Sequence, residues 1–210
     1  MTQAKRKRAT RSSSKTRGVA LVLVDVINAF DFPGAAPLVK AAHKVAPNIH
    51  RTAERARECG VPVIYVNDNF GRWRSDFKAT VSACTAPDLP GRLVCELLRP
   101  HPDDYFVLKP QHSGFYSTTL DLMLKHLGAH VLVLTGFAAN LCLLFTANDA
   151  HMRGYRVVAP SDCTAANSSA LTRGALDHLK SALSADIRPS SQLSFPQLSK
   201  ISRRSGAQSF

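Results

Sequence analysis

Three side chains far apart in the sequence carry groups suited to nucleophilic chemistry: the thiol of Cys142, the carboxylate of Asp25 and the amine of Lys109. Each follows an apolar run. Val131-Leu132-Val133-Leu134 leads through Thr135-Gly136 toward Cys142, Val19 to Val24 runs into Asp25, and Tyr105-Phe106-Val107-Leu108 runs into Lys109. Such runs are what strands buried on both faces of a parallel sheet require. In open parallel sheets, ligands bind at the carboxyl ends of the strands, so all three groups are expected at one edge. Beyond Gly136, Asn140 can cap a helix that continues through Leu143, Leu144, Thr146, Ala147 and Met152 to Arg153-Gly154. Cys142 then sits in the first turn, where the helix dipole favours the thiolate, the nucleophilic form. Blander readings stand beside these: a cysteine that fills space, a turn or cap aspartate, and a surface lysine.

The elements that must position these groups follow from pattern. Val61–Val66 reads as another strand, with Pro62 tolerated at its start, and it delivers Asn67, Asp68 and Asn69 to the same edge. Tyr155–Ala159 is a fifth strand and Ala185–Arg188 a short sixth. Helical spacing runs from Leu38 to Cys59, bent or interrupted by Pro47, and again over Leu93–Leu98, Leu120–Leu127 and Ala170–Leu183. Strands alternating with helices imply an α/β fold of three layers, an open, six-stranded, mostly parallel sheet with helices on both faces. Residues 18–190 form one domain. Residues 191–210 are polar and basic and read as a loosely ordered tail. On position alone, Phe30, Asn67, Asn69, Trp73, His112 and Phe115 are candidate pocket residues, although Phe30 could equally pack, and the Trp73 loop could be a lid or a solvated surface loop.

Composition sets limits. The chain has 210 residues, of which 45% are hydrophobic and 20% charged, ordinary for a soluble globular domain. No apolar run approaches the roughly 18 residues of a membrane span, and no signal-peptide core is visible. The five cysteines are odd in number, widely spaced and without a CxxC. That pattern fits free thiols in a reducing, cytoplasmic setting rather than a disulfide frame or a zinc site. The net charge is +12, but residues 1–17 hold seven lysines and arginines and no acid. This segment is expected to be a disordered basic tail. It is either a nucleic-acid-binding arm or a solvated extension, and the second is preferred. GxGxxG, the Walker GxxxxGK[ST] and GxSxG are all missing, which removes the signatures of nucleotide binding and of the serine-hydrolase elbow. The histidines lack HExxH or paired ligand spacing.

Three segments together resemble the isochorismatase-like cysteine hydrolases, whose members include nicotinamidases and N-carbamoylsarcosine amidohydrolases. Asp25 opens DVINAF, similar to the family's DxQNxF. Lys109 opens KPQHSGFYSTTL, similar to KxxxSAFxxTxL. GFAANLC ends at Cys142, as the family's GxxxxxC ends at its nucleophile. The likeness spans about residues 18–190. It implies the six-stranded isochorismatase-like sheet and a catalytic triad of Cys142, Asp25 and Lys109. It also implies a cis peptide between Phe137 and Ala138, with an oxyanion hole from the backbone N–H groups of Ala138 and Cys142. The activity it implies is hydrolysis of a C–N bond in a small amide or carbamoyl compound. Asp25 takes the thiol proton, a thioester forms on Cys142, and water activated by Asp25 releases the acid. Two departures matter. Asn67-Asp68-Asn69 stands where nicotinamidases carry metal-binding aspartate and histidines, so no catalytic metal and no cofactor is expected. Ile27-Asn28 replaces the usual glutamine-asparagine pair. Alternatives are an ether or ester hydrolase on the same fold, or a non-catalytic ligand-binding member tethered to nucleic acid by its tail. The family also implies a homodimer or homotetramer.

Overall fold

The computed structural model describes residues 16–71 and 76–206. In chain order the elements are β1 (Val19–Val24), α1 (Ala36–Glu58), β2 (Val63–Asp68), α2 (Phe77–Cys84), α3 (Arg92–Leu97), β3 (Tyr105–Lys109), α4 (Leu120–His126), β4 (Val131–Phe137), α5 (Leu144–Met152), β5 (Arg156–Val158), β6 (Thr164–Ala165), α6 (Ser169–Leu183) and α7 (Phe195–Gly206). The sheet is parallel in the order β3-β2-β1-β4-β5, with the two-residue β6 paired to the end of β4.

Every residue of β1 and β4 is buried, as central strands covered on both faces must be. Side chains alternate between two cores. Val19, Leu21 and Leu23 meet α1, α2, α3 and α7, while Ala20, Val22 and Val24 meet α4, α5 and α6. The central pair is in close register, with Val24 opposite Gly136. A Cβ on Gly136 would lie 2.0 Å from the Val24 carbonyl oxygen, and its φ is +116°. Only glycine serves here, at the point where the chain leaves the sheet toward Cys142.

Four expectations need correction. Residues 191–210 are not a loose tail as far as they are described. Ser190–Gln192 form a 3₁₀ turn, and α7 follows, with Phe195, Leu198 and Ser199 buried and the helix packed on β1 and β4. Its sequence is polar on average, but one face is apolar, and that face decides burial. The N-terminal boundary also moves. Residues 1–15 lie outside the described residues, but Thr16 is buried and donates to the Cys59 carbonyl, and the Arg17 carbonyl accepts from Ser199 Oγ at 2.7 Å. The sixth strand is Thr164–Ala165. Around Ala185 only a single bridge forms, between Val158 and Asp186, and the Asp186 carboxylate accepts from the Arg188 N–H and guanidinium. Pro47 lies inside an unbroken α1. A proline there forfeits a hydrogen bond and costs about 3 kcal/mol, which burial of Leu38, Ala42, Ala46, Ile49, Ala53 and Ala56 offsets.

Candidate active site

Asp25, Lys109 and Cys142 converge at the carboxyl ends of β1, β3 and β4. Lys109 Nζ lies 2.9 Å from Asp25 Oδ2 and donates to Cys142 Sγ at 3.4 Å. Asp25 Oδ1 accepts the Asp68 backbone N–H at 2.7 Å, and Asp68 Oδ2 stands 3.6 Å from Lys109 Nζ. Lys109 is fully buried and Asp25 nearly so, whereas Cys142 is partly open to solvent. Asp25 holds φ +52°, a conformation that non-glycine residues rarely adopt outside sites that need a particular side-chain aim.

Local chemistry fixes each group. The peptide between Phe137 and Ala138 is cis. Ala138 is extended, and a π-helical turn, Ala139–Leu143, carries Cys142 into α5. Asn140 therefore lies inside the turn and caps nothing; the residue flanking the turn is Ala138, whose carbonyl accepts the N–H groups of Leu141 and Leu143. Thr146 ties this turn to the segment after Lys109. Its hydroxyl donates to the Cys142 carbonyl at 2.6 Å and accepts the Gly114 N–H at 2.9 Å. Ser113 clamps the same segment onto Asp149, which pairs with Arg153 at 2.8 Å. Ser113 and Gly114 of the KPQHSGFYSTTL stretch, with Thr146 and Asp149 of α5, thus form the splint that holds lysine against cysteine. After Asp25, the chain is held by Asn67 Nδ2 donating to the Ile27 carbonyl at 2.6 Å and by Cys95 Sγ on Asn28, 3.2 Å from both its N and its O.

The electrostatics differ from the expectation of a dipole-stabilised thiolate. Burial, with the negative charge of Asp25 beside it, pushes the Cys142 thiol up to about 12, against the opposing pull of Lys109. The resting group is a thiol, because desolvation and a neighbouring carboxylate outweigh one short helix end. Burial likewise lifts Asp25 above the ordinary carboxylate range, although Lys109 holds it back. Burial acts against the Lys109 charge, but Asp25 and Cys142 outweigh it and leave the amine above its usual value. Lys109 is therefore a fixed cation between a carboxylate and a sulfur.

The outer candidates fare unequally. His112 stands beside the sulfur, Nδ1 to Sγ 3.7 Å, with its ring stacked on Phe145 at 5.6 Å. Asn69 lines a cavity of about 400 Å³ with Ala29, Asp31, Phe70, Asp76 and Ala79, and its N–H donates to the Lys109 carbonyl at 3.0 Å. None of the three reactive groups lines that cavity. Phe30 is a correction: it is buried in the core against Phe137, ring centroids 5.9 Å apart. So is Phe115, buried against Tyr155 with the Arg153 guanidinium over its ring. Large aromatics beside a sheet gain more from burial than from lining a wet cavity. Asn67 is also buried and supports the wall from behind. Trp73 lies outside the described residues. Asp68, which the sequence delivers to this edge without a role, ends β2 beside Lys109, and nothing in the sequence singles out Phe145.

The described residues offer no fit to a metal. No three His, Cys, Asp or Glu side chains among them converge to hold an ion. Asn67 Nδ2 donates to Ile27 while its Oδ1 is buried without a hydrogen-bond partner among the described residues, Asn69 Oδ1 accepts the Gly71 N–H, and Asp68 Oδ1 accepts the Phe70 N–H.

Comparison with known proteins gives the family. The isochorismatase domain family matches residues 19–188. This chain belongs to the isochorismatase family. Among its isochorismatase-family relatives, the uncharacterised protein YaaI of Bacillus subtilis is 39% identical over 174 residues, covering 83% of this chain and 95% of that one. Ureidoacrylate amidohydrolase RutB of Methylorubrum extorquens is 30% identical over 189 residues, covering 76% of this chain and 75% of that one. The crystal structure of N-carbamoylsarcosine amidase from Thermoplasma acidophilum superposes with a TM-score of 0.64 at 30% identity, covering 83% of this chain and 98% of that one. The three-layer α/β fold is thus the isochorismatase-like one.

Proposed function

We propose that the chain is a cysteine hydrolase that cleaves the C–N bond of a small amide or of a carbamoyl or ureido compound through a thioester on Cys142. The supporting observation is the placement of Lys109 Nζ between Asp25 at 2.9 Å and Cys142 at 3.4 Å. The names of two relatives, a ureidoacrylate amidohydrolase and an N-carbamoylsarcosine amidase, support the bond class.

A neutral thiol is a poor nucleophile and needs an adjacent base. Asp25 takes the proton as Cys142 Sγ attacks the carbonyl carbon. Lys109 steadies the anions that Asp25 and the sulfur present in turn. Backbone N–H groups of Ala138 and Cys142 receive the developing oxyanion; one such donor is typically worth about 10²-fold or more in rate. Protonated Asp25 then gives its proton to the departing nitrogen, leaving ammonia or a small amine and the thioester, whose hydrolysis frees the acid. No step is routed through a metal.

Two coarser features join this reading. Leu141 of the π-helical turn and Phe145 and Met152 of α5 are exposed apolar residues, which fits burial in a homodimer or homotetramer. The odd count of five cysteines, widely spaced along the chain, fits a reducing compartment such as the cytoplasm. Among the described residues, no helix is long and apolar enough to cross a membrane.

The test is ammonia release from a panel of small amides, ureas and carbamoyl compounds. The native chain is expected to turn over at least one, and Cys142→Ala none. Equal turnover by both chains would remove Cys142 from the chemistry.

A further inference from the structure

We propose that His112 is a catalytic residue, the base that activates water to hydrolyse the Cys142 thioester; this rests on the thioester reading above. The sulfur has two sides. On the buried side stand Lys109, with no exposure, and Asp25, whose oxygens are already engaged by Lys109 Nζ and the Asp68 N–H. On the solvent side stands His112, exposed, with Nδ1 3.7 Å from Sγ. Its ring is set by stacking on Phe145, which sits one turn after Cys142.

Water for the second half of the reaction comes from solvent once the amine has left, so it arrives on the His112 side. The thioester carbon is one bond from Sγ. A water within hydrogen-bond reach of Nδ1, about 2.8 Å, can therefore lie at near-attack distance from that carbon, about 3 to 3.5 Å. Neutral imidazole accepts a proton from this water at Nδ1 while the hydroxyl oxygen bonds to the carbonyl carbon. The C–S bond then breaks with its electron pair going to Sγ. The imidazolium returns the proton to the thiolate, which restores the resting thiol and frees the acid. Every atom and proton is accounted for without a co-reactant other than water. This divides the labour: Asp25 works on the first half-reaction from within, and His112 on the second from outside. The sequence placed His112 near the pocket but gave it no task.

The two half-reactions separate with p-nitrophenyl acetate, whose activated ester acylates the sulfur readily. The native chain is expected to release nitrophenolate steadily. His112→Ala and His112→Gln are expected to give a burst of about one equivalent, followed by turnover at least about tenfold slower, the scale of a lost general base. In both variants kcat and KM fall together while kcat/KM stays within about twofold. Mass spectrometry finds an acetyl group on Cys142, and added imidazole restores turnover in His112→Ala. A merely structural role would not accumulate an acyl-enzyme. Acetylation of Cys142 in both variants followed by hydrolysis at the native rate overturns the role of His112 and leaves the thioester reading standing. Nitrophenolate release by Cys142→Ala at the native rate, with no acetyl group on Cys142 in either His112 variant, overturns both.

Discussion

At the residue scale, the site turns on the charge between Asp25 and Cys142. A carboxylate that must act as a base is inactive when protonated, and burial lifts the Asp25 pKa above the ordinary carboxylate range. The acid limb of kcat/KM is therefore expected above the free-carboxylate value of about 3.9. A pH-rate profile checks this; a limb at or below that value, or one unmoved by Asp25→Glu, would contradict it. Lys109 supplies the second prediction. Lys109→Met leaves Asp25 buried without its cation, a change that typically costs about 3 kcal/mol or more. The sign with pH follows from linkage. With its pKa raised in the folded state, Asp25 binds more proton folded than unfolded, so stability falls as pH rises from the unfolded carboxylate value through the folded one. The loss measured by urea unfolding should thus be larger at pH 8 than at pH 5, with hydrolysis down at least about 10²-fold at either pH. A variant equally stable at both would show that Asp25 does not feel the missing charge.

At the element scale, much was legible and the failures are instructive. β1 and β4 are legible because fully buried strands are written as apolar runs; β3 is legible from its apolar run too, but it is an edge strand with Tyr105 and Phe106 exposed, not buried on both faces as the run suggests. Asp25 and Lys109, the polar residues that end the runs of β1 and β3, mark the site. The turn bearing Cys142 was read as an ordinary capped helix, since ANLCL carries no signal that separates a π-helical turn from an α-helical one. The protonation of Cys142 could not be read either, because the helix end is local in sequence whereas Asp25 and the desolvating walls come from distant strands. α7 is hard to read from sequence because its apolar residues, Phe195, Leu198 and Ile201, are few among serines, one lysine and two arginines. Its partners are the residues of β1, visible only in three dimensions. Leu198 is buried at 3% exposure, so Leu198→Ala is expected to cost about 2 to 4 kcal/mol. Thermal unfolding reads this directly, and a change below about 0.5 kcal/mol would return α7 to the status of a tail.

At the scale of the whole molecule, charge and chemistry are separately placed. The triad residues all lie within the body, while seven of the basic residues lie in 1–17. Removing residues 1–15, short of the buried Thr16, is therefore expected to leave kcat/KM within about twofold while abolishing any salt-sensitive binding to DNA, the signature of a polyelectrolyte contact. Loss of hydrolysis on truncation would mean that the basic segment serves the site. The central claim is that sulfur, ammonium and carboxylate act on one carbonyl carbon. Rapid acid quench of the native chain during turnover of a hydrolysed amide, followed by peptide mass spectrometry, tests it most directly. The account predicts the substrate's acyl group on Cys142, and on none of Cys59, Cys84, Cys95 or Cys163. Turnover at the same rate by Cys142→Ala, with no acylated cysteine trapped in either chain, would contradict it.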